Sequence, residues 1–126
     1  MISPQVAALD AAFKTRMEEG GKALNEMDQH LLRSDEAERL RDNAIYSALD
    51  AEAWFDASKA AREAELVLTG SPLSAARGRI KKEAVDVTMP VGAARAAWME
   101  AVKNADAWRR LARVCREQYW QMGRGR

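Results

Sequence analysis

The sequence predicts an all-α fold: an antiparallel helical bundle of three long helices and one short helix, with coiled-coil-like packing. Three observations carry this expectation. Residues 91–122 place Val91, Ala94, Trp98, Ala101, Ala105, Trp108, Ala112, Cys115, Tyr119 and Met122 at alternating spacings of three and four. That is a heptad with both seam positions filled, a helix face made to meet another helix. Alanine is frequent and prolines number only three, which favours helix. Each proline follows, by one or two positions, a hydroxyl residue able to cap a helix start, in Ser3-Pro4, Ser71-Pro72 and Thr88-Met89-Pro90. A missing N–H costs nothing in a first turn, where that donor has no partner anyway.

Helix 1 is expected over 4–32, with the stripe Val6, Leu9, Phe13, Met17, Leu24, Met27 and Leu31. Gly20-Gly21 opposes it, each glycine costing about 1 kcal/mol in a helix interior. Yet the stripe keeps its phase across the pair, so the spacing favours one helix weakened there over two helices joined there. Ser34-Asp35 supplies a new start, because Asp35 and Glu38 have the spacing of a capping box. Helix 2 then runs over 35–68 on the seam Ala37, Leu40, Ala44, Ser47, Ala51, Trp54, Ser58 and Ala61, widened by Ala48 and Phe55. Ile45 and Leu49 lie on another flank, which implies more than one neighbour. Thr69-Gly70 ends it, glycine being free to take the left-handed conformation of a helix end. Helix 3, over 72–86, is short and carries Leu73, Ala76, Ile80 and Ala84. Helix 4 spans 90–122, followed by a frayed basic tail, 124–126.

At 1.5 Å per residue the long helices span roughly 45–50 Å and helix 3 about 23 Å. Helix 3 would return only half way along helix 2, and helix 4 would overrun the bundle end. An uncovered seam invites a second copy or another protein, so a homodimer is an expectation of this reading.

The chain has 126 residues, 48% hydrophobic and 31% charged, enough for one domain with its own core. No apolar run approaches the ~18 residues of a membrane span, and the N-terminus lacks the basic and apolar regions of a signal peptide. The single cysteine, Cys115, excludes an internal disulfide. A soluble, cytoplasmic protein is expected.

Catalytic chemistry finds little to use. The single histidine, His30, has Glu26 four residues before it, and reads as a surface or helix-end residue. The Lys-Gly pair that follows the reactive histidine of phosphotransfer domains is replaced by Arg33-Ser34. A di-metal bundle needs two Glu-x-x-His motifs, and zinc needs more Cys and His than one of each. No phosphate-binding loop or nucleophile set is readable. No enzyme activity, cofactor or metal is expected.

The net charge of +1 conceals an asymmetry: residues 1–70 carry −6 and residues 91–126 carry +5. Trp120 lies off the helix 4 seam, with Arg113, Arg116 and Arg124 as its neighbours one or two turns away, and Arg109 and Arg110 continue the basic face. An exposed tryptophan among arginines is the composition of an interface anchor. The expected function is a non-enzymatic protein–protein interaction module, an adaptor, scaffold, secretion accessory or inhibitor. Its contact residues would be Trp108, Arg109, Arg113, Arg116, Trp120 and Arg124, its partner another protein, a second copy, or both. The alternative is a nucleic-acid-binding bundle in which Trp120 stacks on a base and the arginines meet phosphates.

Overall fold

The structure, a computed structural model, describes residues 2–20 and 24–124, with Arg124 described by its backbone alone. These residues form four α-helices and no strand, the all-α bundle that the sequence predicts: α1 (Pro4–Gly20), α2 (Glu26–Leu68), α3 (Leu73–Glu83) and α4 (Pro90–Arg124). Two compact units result. Unit 1 takes in residues 1–44 and 104–126, unit 2 residues 45–103. Both α2 and α4 therefore contribute to two cores.

The helix ends follow local chemistry, though not always at the expected residue. Ser3 caps α1, its Oγ accepting from the Val6 N–H at 3.2 Å. The expected single helix over 4–32 is not present: α1 stops at Gly20, and Leu24 and Asn25 are non-helical. Gly21–Ala23 lie outside the described residues. Asn25 supplies the cap that the sequence reading missed, its Oδ1 accepting from the Asp28 N–H at 2.8 Å. Glu26 and Asp28 then place negative charge in the first turn, where the helix dipole favours it.

The break expected at Ser34-Asp35 is also absent, for α2 runs through it. Ser34 and Glu36 are buried there. Glu36 pairs with Arg16 of α1 at 3.1 Å and with Arg39 at 2.8 Å. Ending the helix at Ser34 would strand that carboxylate, so tertiary contact overrides the capping signature.

The end of α2 is as expected. Gly70 has φ +101°; the Ser71 N–H reaches the Leu66 carbonyl at 3.0 Å and the Gly70 N–H the Val67 carbonyl at 3.1 Å, the paired bonds of a Schellman turn. This turn uses the Ser71 backbone, and α3 begins without a side-chain cap. It ends at Glu83 rather than 86, because Asp86 forms a turn of its own. Its Oδ1 accepts from the Thr88 N–H at 3.0 Å and from the Thr88 hydroxyl at 2.7 Å. Thr88 is thus engaged before α4 starts and does not cap it.

In unit 1, α1 lies against the first part of α2 and the second half of α4. Arg33 of α2 reaches Asp10 at 2.7 Å and lies 5.9 Å from the centre of the Phe13 ring. Gln5 donates to Asn104 Oδ1 at 2.9 Å. The core comprises Leu9, Ala37, Ala44, Ala105, Trp108, Ala112 and Cys115. Small residues on both long helices let their backbones approach between the larger Leu9 and Trp108.

The expected overrun of helix 4 is therefore corrected. Its C-terminal seam packs within unit 1, where Ala105, Trp108, Ala112 and Cys115 are buried and Tyr119 and Met122 half-buried, so no second copy is required to cover it.

In unit 2, Phe55 and Leu66 of α2, Ala76 and Ile80 of α3, and Val91 and Ala94 of α4 form one cluster, with Trp98 packed against it. Trp98 stacks on Phe55 at 5.7 Å between ring centroids. The expected seam of α2 is displaced here. The inward positions are Ala48, Ala51, Phe55, Arg62 and Leu66, while Ser47, Trp54 and Ala61 are exposed. A strict heptad repeats every 3.5 residues, and a straight helix at 3.6 drifts from it by about 20° per heptad. Over three heptads the inward stripe has moved most of a residue position, and Trp54 gives way to Phe55.

Glu83 ties α3 to α2. Arg62 grips it in a fork, Nε to Oε2 at 2.9 Å and Nη2 to Oε1 at 2.8 Å, and Arg79 approaches at 3.4 Å. The hydrogen bond from Arg62 holds the Glu83 carboxyl below its ordinary pKa, against the opposing effect of burial. The next turn of chain is equally tight. A Cβ on Gly92 would collide with the Asp86 carbonyl and fall 2.7 Å from the Glu83 carbonyl oxygen.

Two outcomes follow. Gly92→Ala should lower stability in urea unfolding by about 3 kcal/mol or more, since backbone atoms would have to move. Gly78→Ala, with nothing within 4 Å of its Cβ, should raise it by about 0.5–1 kcal/mol.

Because the folded pKa of Glu83 is depressed, its contribution to stability is present above the ordinary carboxylate pKa and is lost as pH falls through the folded value. The urea midpoint of Glu83→Gln should be lower than that of the parent at neutral pH. The two should converge in acid, where Glu83 is protonated in both states.

Candidate interaction face

The second half of α4 separates its side chains by helical phase. Ala105, Trp108, Ala112 and Cys115 point inward and are buried. Arg109, Arg113, Arg116 and Trp120 follow one another at spacings of four, three and four, and all four are exposed. They form one ridge about three turns long on the outside of unit 1.

Trp120 leads this ridge. It is 55% exposed, with its ring 6.1 Å from that of Tyr119 and tilted by 58°. Tyr119 is half-buried, so it supports Trp120 from the core side without covering it. Val114, also exposed, lies beyond Arg110 on the opposite flank. Arg109 is tied to Asp106 at 2.9 Å. Arg113 and Arg116 form no ion pair among the described residues. Two guanidinium groups beside an exposed indole therefore stay available for an outside acceptor. The ring offers apolar area, and the guanidinium groups offer fixed forks of donors.

Of the six expected contact residues, four thus share one exposed ridge. Trp108 does not join them, because it is 6% exposed and belongs to the core of unit 1. Its seam position in the heptad already carried that information, so core and contact roles cannot both hold. The side chain of Arg124 lies outside the described residues.

The remaining candidates for chemistry are scattered. His30 is half-buried on α2. Cys115 is buried, and that burial pushes its thiol pKa up despite the nearby Arg33, which keeps sulfur in its less nucleophilic form. Among the described residues no three His, Cys, Asp or Glu side chains gather as a metal site. No helix among them is long and apolar enough to cross a membrane.

No protein-family model matches the chain, and neither the curated proteins nor the solved structures include a detectable match.

The two tryptophans of this helix half should behave oppositely. Trp108→Ala should cost about 3–5 kcal/mol in urea unfolding, as loss of a large core side chain does. Trp120→Ala and Arg116→Glu should each stay within about 0.5 kcal/mol of the parent, with unchanged far-UV circular dichroism.

Proposed function

We propose that the chain is a non-enzymatic interaction module of the adaptor, scaffold, secretion-accessory or inhibitor type, which presents the outer ridge of α4 to a partner protein. The observation that carries this reading is Trp120, more than half exposed and flanked by arginines whose charges have no acceptor among the described residues. The mechanism is adhesive. Trp120 inserts into a pocket on the partner, while Arg113 and Arg116 meet carboxylates around it and set orientation and encounter rate. Because the ridge is carried on a packed helix, little order has to be gained on binding. The partner is a different protein, since pairing this ridge with itself would set arginines against arginines. A buried, unpaired cysteine suits a reducing compartment, and the cytoplasm is the proposed location.

The same ridge could serve a nucleic acid, through stacking on Trp120 and phosphate contacts from the arginines. Salt separates the two readings, because counterion release makes phosphate binding fall steeply as salt rises.

The experiment is affinity capture from the native cell with nuclease treatment, followed by binding measurements on the captured protein. Trp120→Ala and Arg116→Glu should each weaken binding by about ten-fold or more, with the chain's helicity unchanged. If both variants bind as the parent does, this face is not the contact surface. If capture is abolished by nuclease and affinity tracks salt, the partner is a nucleic acid.

A further inference from the structure

A second exposed surface lies on unit 2 and differs in chemistry from the α4 ridge. On the outer side of α2, Tyr46, Leu49, Ala53, Ala57, Ala60 and Ala64 recur at three- and four-residue spacings, and all are exposed. Val67 continues the row. Trp54 and Leu68 border it and are 51% and 86% exposed. The stripe extends over about six turns, roughly 33 Å. Its large side chains stand at the two ends, Tyr46, Leu49 and Trp54 at one and Val67 and Leu68 at the other. Alanines make up the floor between them. This is the arrangement of a helix seam, in which small residues let a second helix approach closely between bulky anchors. No element of unit 2 covers it, and a soluble surface seldom leaves so long an apolar face without a use.

The charges around the face identify its occupant. Residues 46–68 hold five acidic and two basic side chains. Both basic ones are engaged: Lys59 lies 4.4 Å from the centre of the Phe55 ring and pairs with Asp56 at 3.3 Å, and Arg62 grips Glu83 at 2.8 Å and reaches Glu65 at 3.1 Å. Glu52, Asp56 and Glu63 line one edge of the apolar face, Glu65 the other, and Asp50 interrupts it near Tyr46. Asp50 and Glu52 form no ion pair among the described residues. Glu63 pairs with Arg77 of α3 at 3.4 Å. The rim thus carries a net negative charge, with Asp50 and Glu52, near the Tyr46 end, as its unpaired carboxylates. A second copy docking through the same face would bring together two faces of net negative charge that offer no unpaired cation to Asp50 or Glu52, which like-charge repulsion opposes. An anionic membrane surface is disfavoured for the same reason, since membrane-lying helices carry lysines and arginines on their flanks.

We infer that the outer face of α2 binds a basic amphipathic helix of another protein, about 22 residues long, with large apolar side chains on the alanine floor and Lys or Arg on the flanks that meet Asp50 and Glu52. This site is separate from the α4 ridge. Together the two would make the chain a connector with an acidic-rimmed apolar seam on one unit and an arginine–tryptophan ridge on the other.

The test uses the full chain and two synthetic helices of that length. Both carry leucine at the seam positions; one has Lys and Arg on its flanks and the other has Glu. Titration calorimetry should show the basic helix binding at least about ten-fold more tightly than the acidic one. Ala57→Arg, a surface change that keeps helix propensity, should weaken the basic helix about ten-fold or more, with circular dichroism unchanged. Trp120→Ala should leave this binding intact, which keeps it distinct from the α4 reading. Equal binding of the two peptides, no binding of the basic one, or an unaffected Ala57→Arg would overturn the proposal. So would a dimer of the parent chain that Ala57→Arg dissociates in light scattering, because the occupant would then be a second copy. Binding of the parent to anionic vesicles that Ala57→Arg abolishes would overturn it in favour of a lipid surface.

Discussion

α2 and α4 run 43 and 35 residues, whereas α1 and α3 run 17 and 11. Neither short helix is long enough to cover the two long ones by itself. α1 packs on one stretch of each long helix and α3 on another, and two small cores result. The rest of the architecture depends on this difference in length. Each core is a three-helix packing problem, and three helices bury one stripe apiece. What lies on the far side of α2 and α4 is left to solvent or to other molecules. Both proposed contact faces are outer sides of long helices of this kind.

Each core also contains one carboxylate gripped by arginines. Glu36 in unit 1 meets Arg16 and Arg39, and Glu83 in unit 2 meets Arg62 and Arg79. Burying charge is costly, and such pairs add less net stability than well-packed apolar residues would. Their effect is on register. Shifting α1 along α2 would leave Glu36 without Arg16, and shifting α3 would part Glu83 from Arg62. Alanine-rich seams tolerate sliding, because one small side chain resembles the next. A buried ion pair at one position does not.

The sequence was informative where chemistry is local. The α4 heptad, the Gly70 helix end and the Ser3 cap are set by neighbouring residues, and all three stand in the structure as read. It was misleading where a distant contact decides. Ser34-Asp35 has the form of a helix start, but Glu36 holds the helix through it by reaching Arg16 on another element. Between α1 and α2 the cost of glycine and the strength of an Asn25 cap outweigh a continuous apolar phase. A rigid 3.5 repeat puts Trp54 inward, but a 3.6 helix has drifted from that repeat by this point and Phe55 takes the inward place. The outer face of α2 is not legible in the same way, because Ala53, Ala57, Ala60 and Ala64 are too small to mark a stripe of their own. On α4 the exposed ridge was legible because the strong heptad fixed its phase.

The four tryptophans express the whole arrangement. Trp108 closes the core of unit 1 and Trp98 packs on Phe55 in unit 2, while Trp54 and Trp120 stand outward on the two proposed faces. Hydroxyl-radical footprinting of the free, dilute chain reads all four at once. The account predicts fast oxidation of Trp54 and Trp120 and slow oxidation of Trp98 and Trp108. Protection of Trp54 or Trp120 in the free chain, or fast oxidation of Trp108, would contradict it.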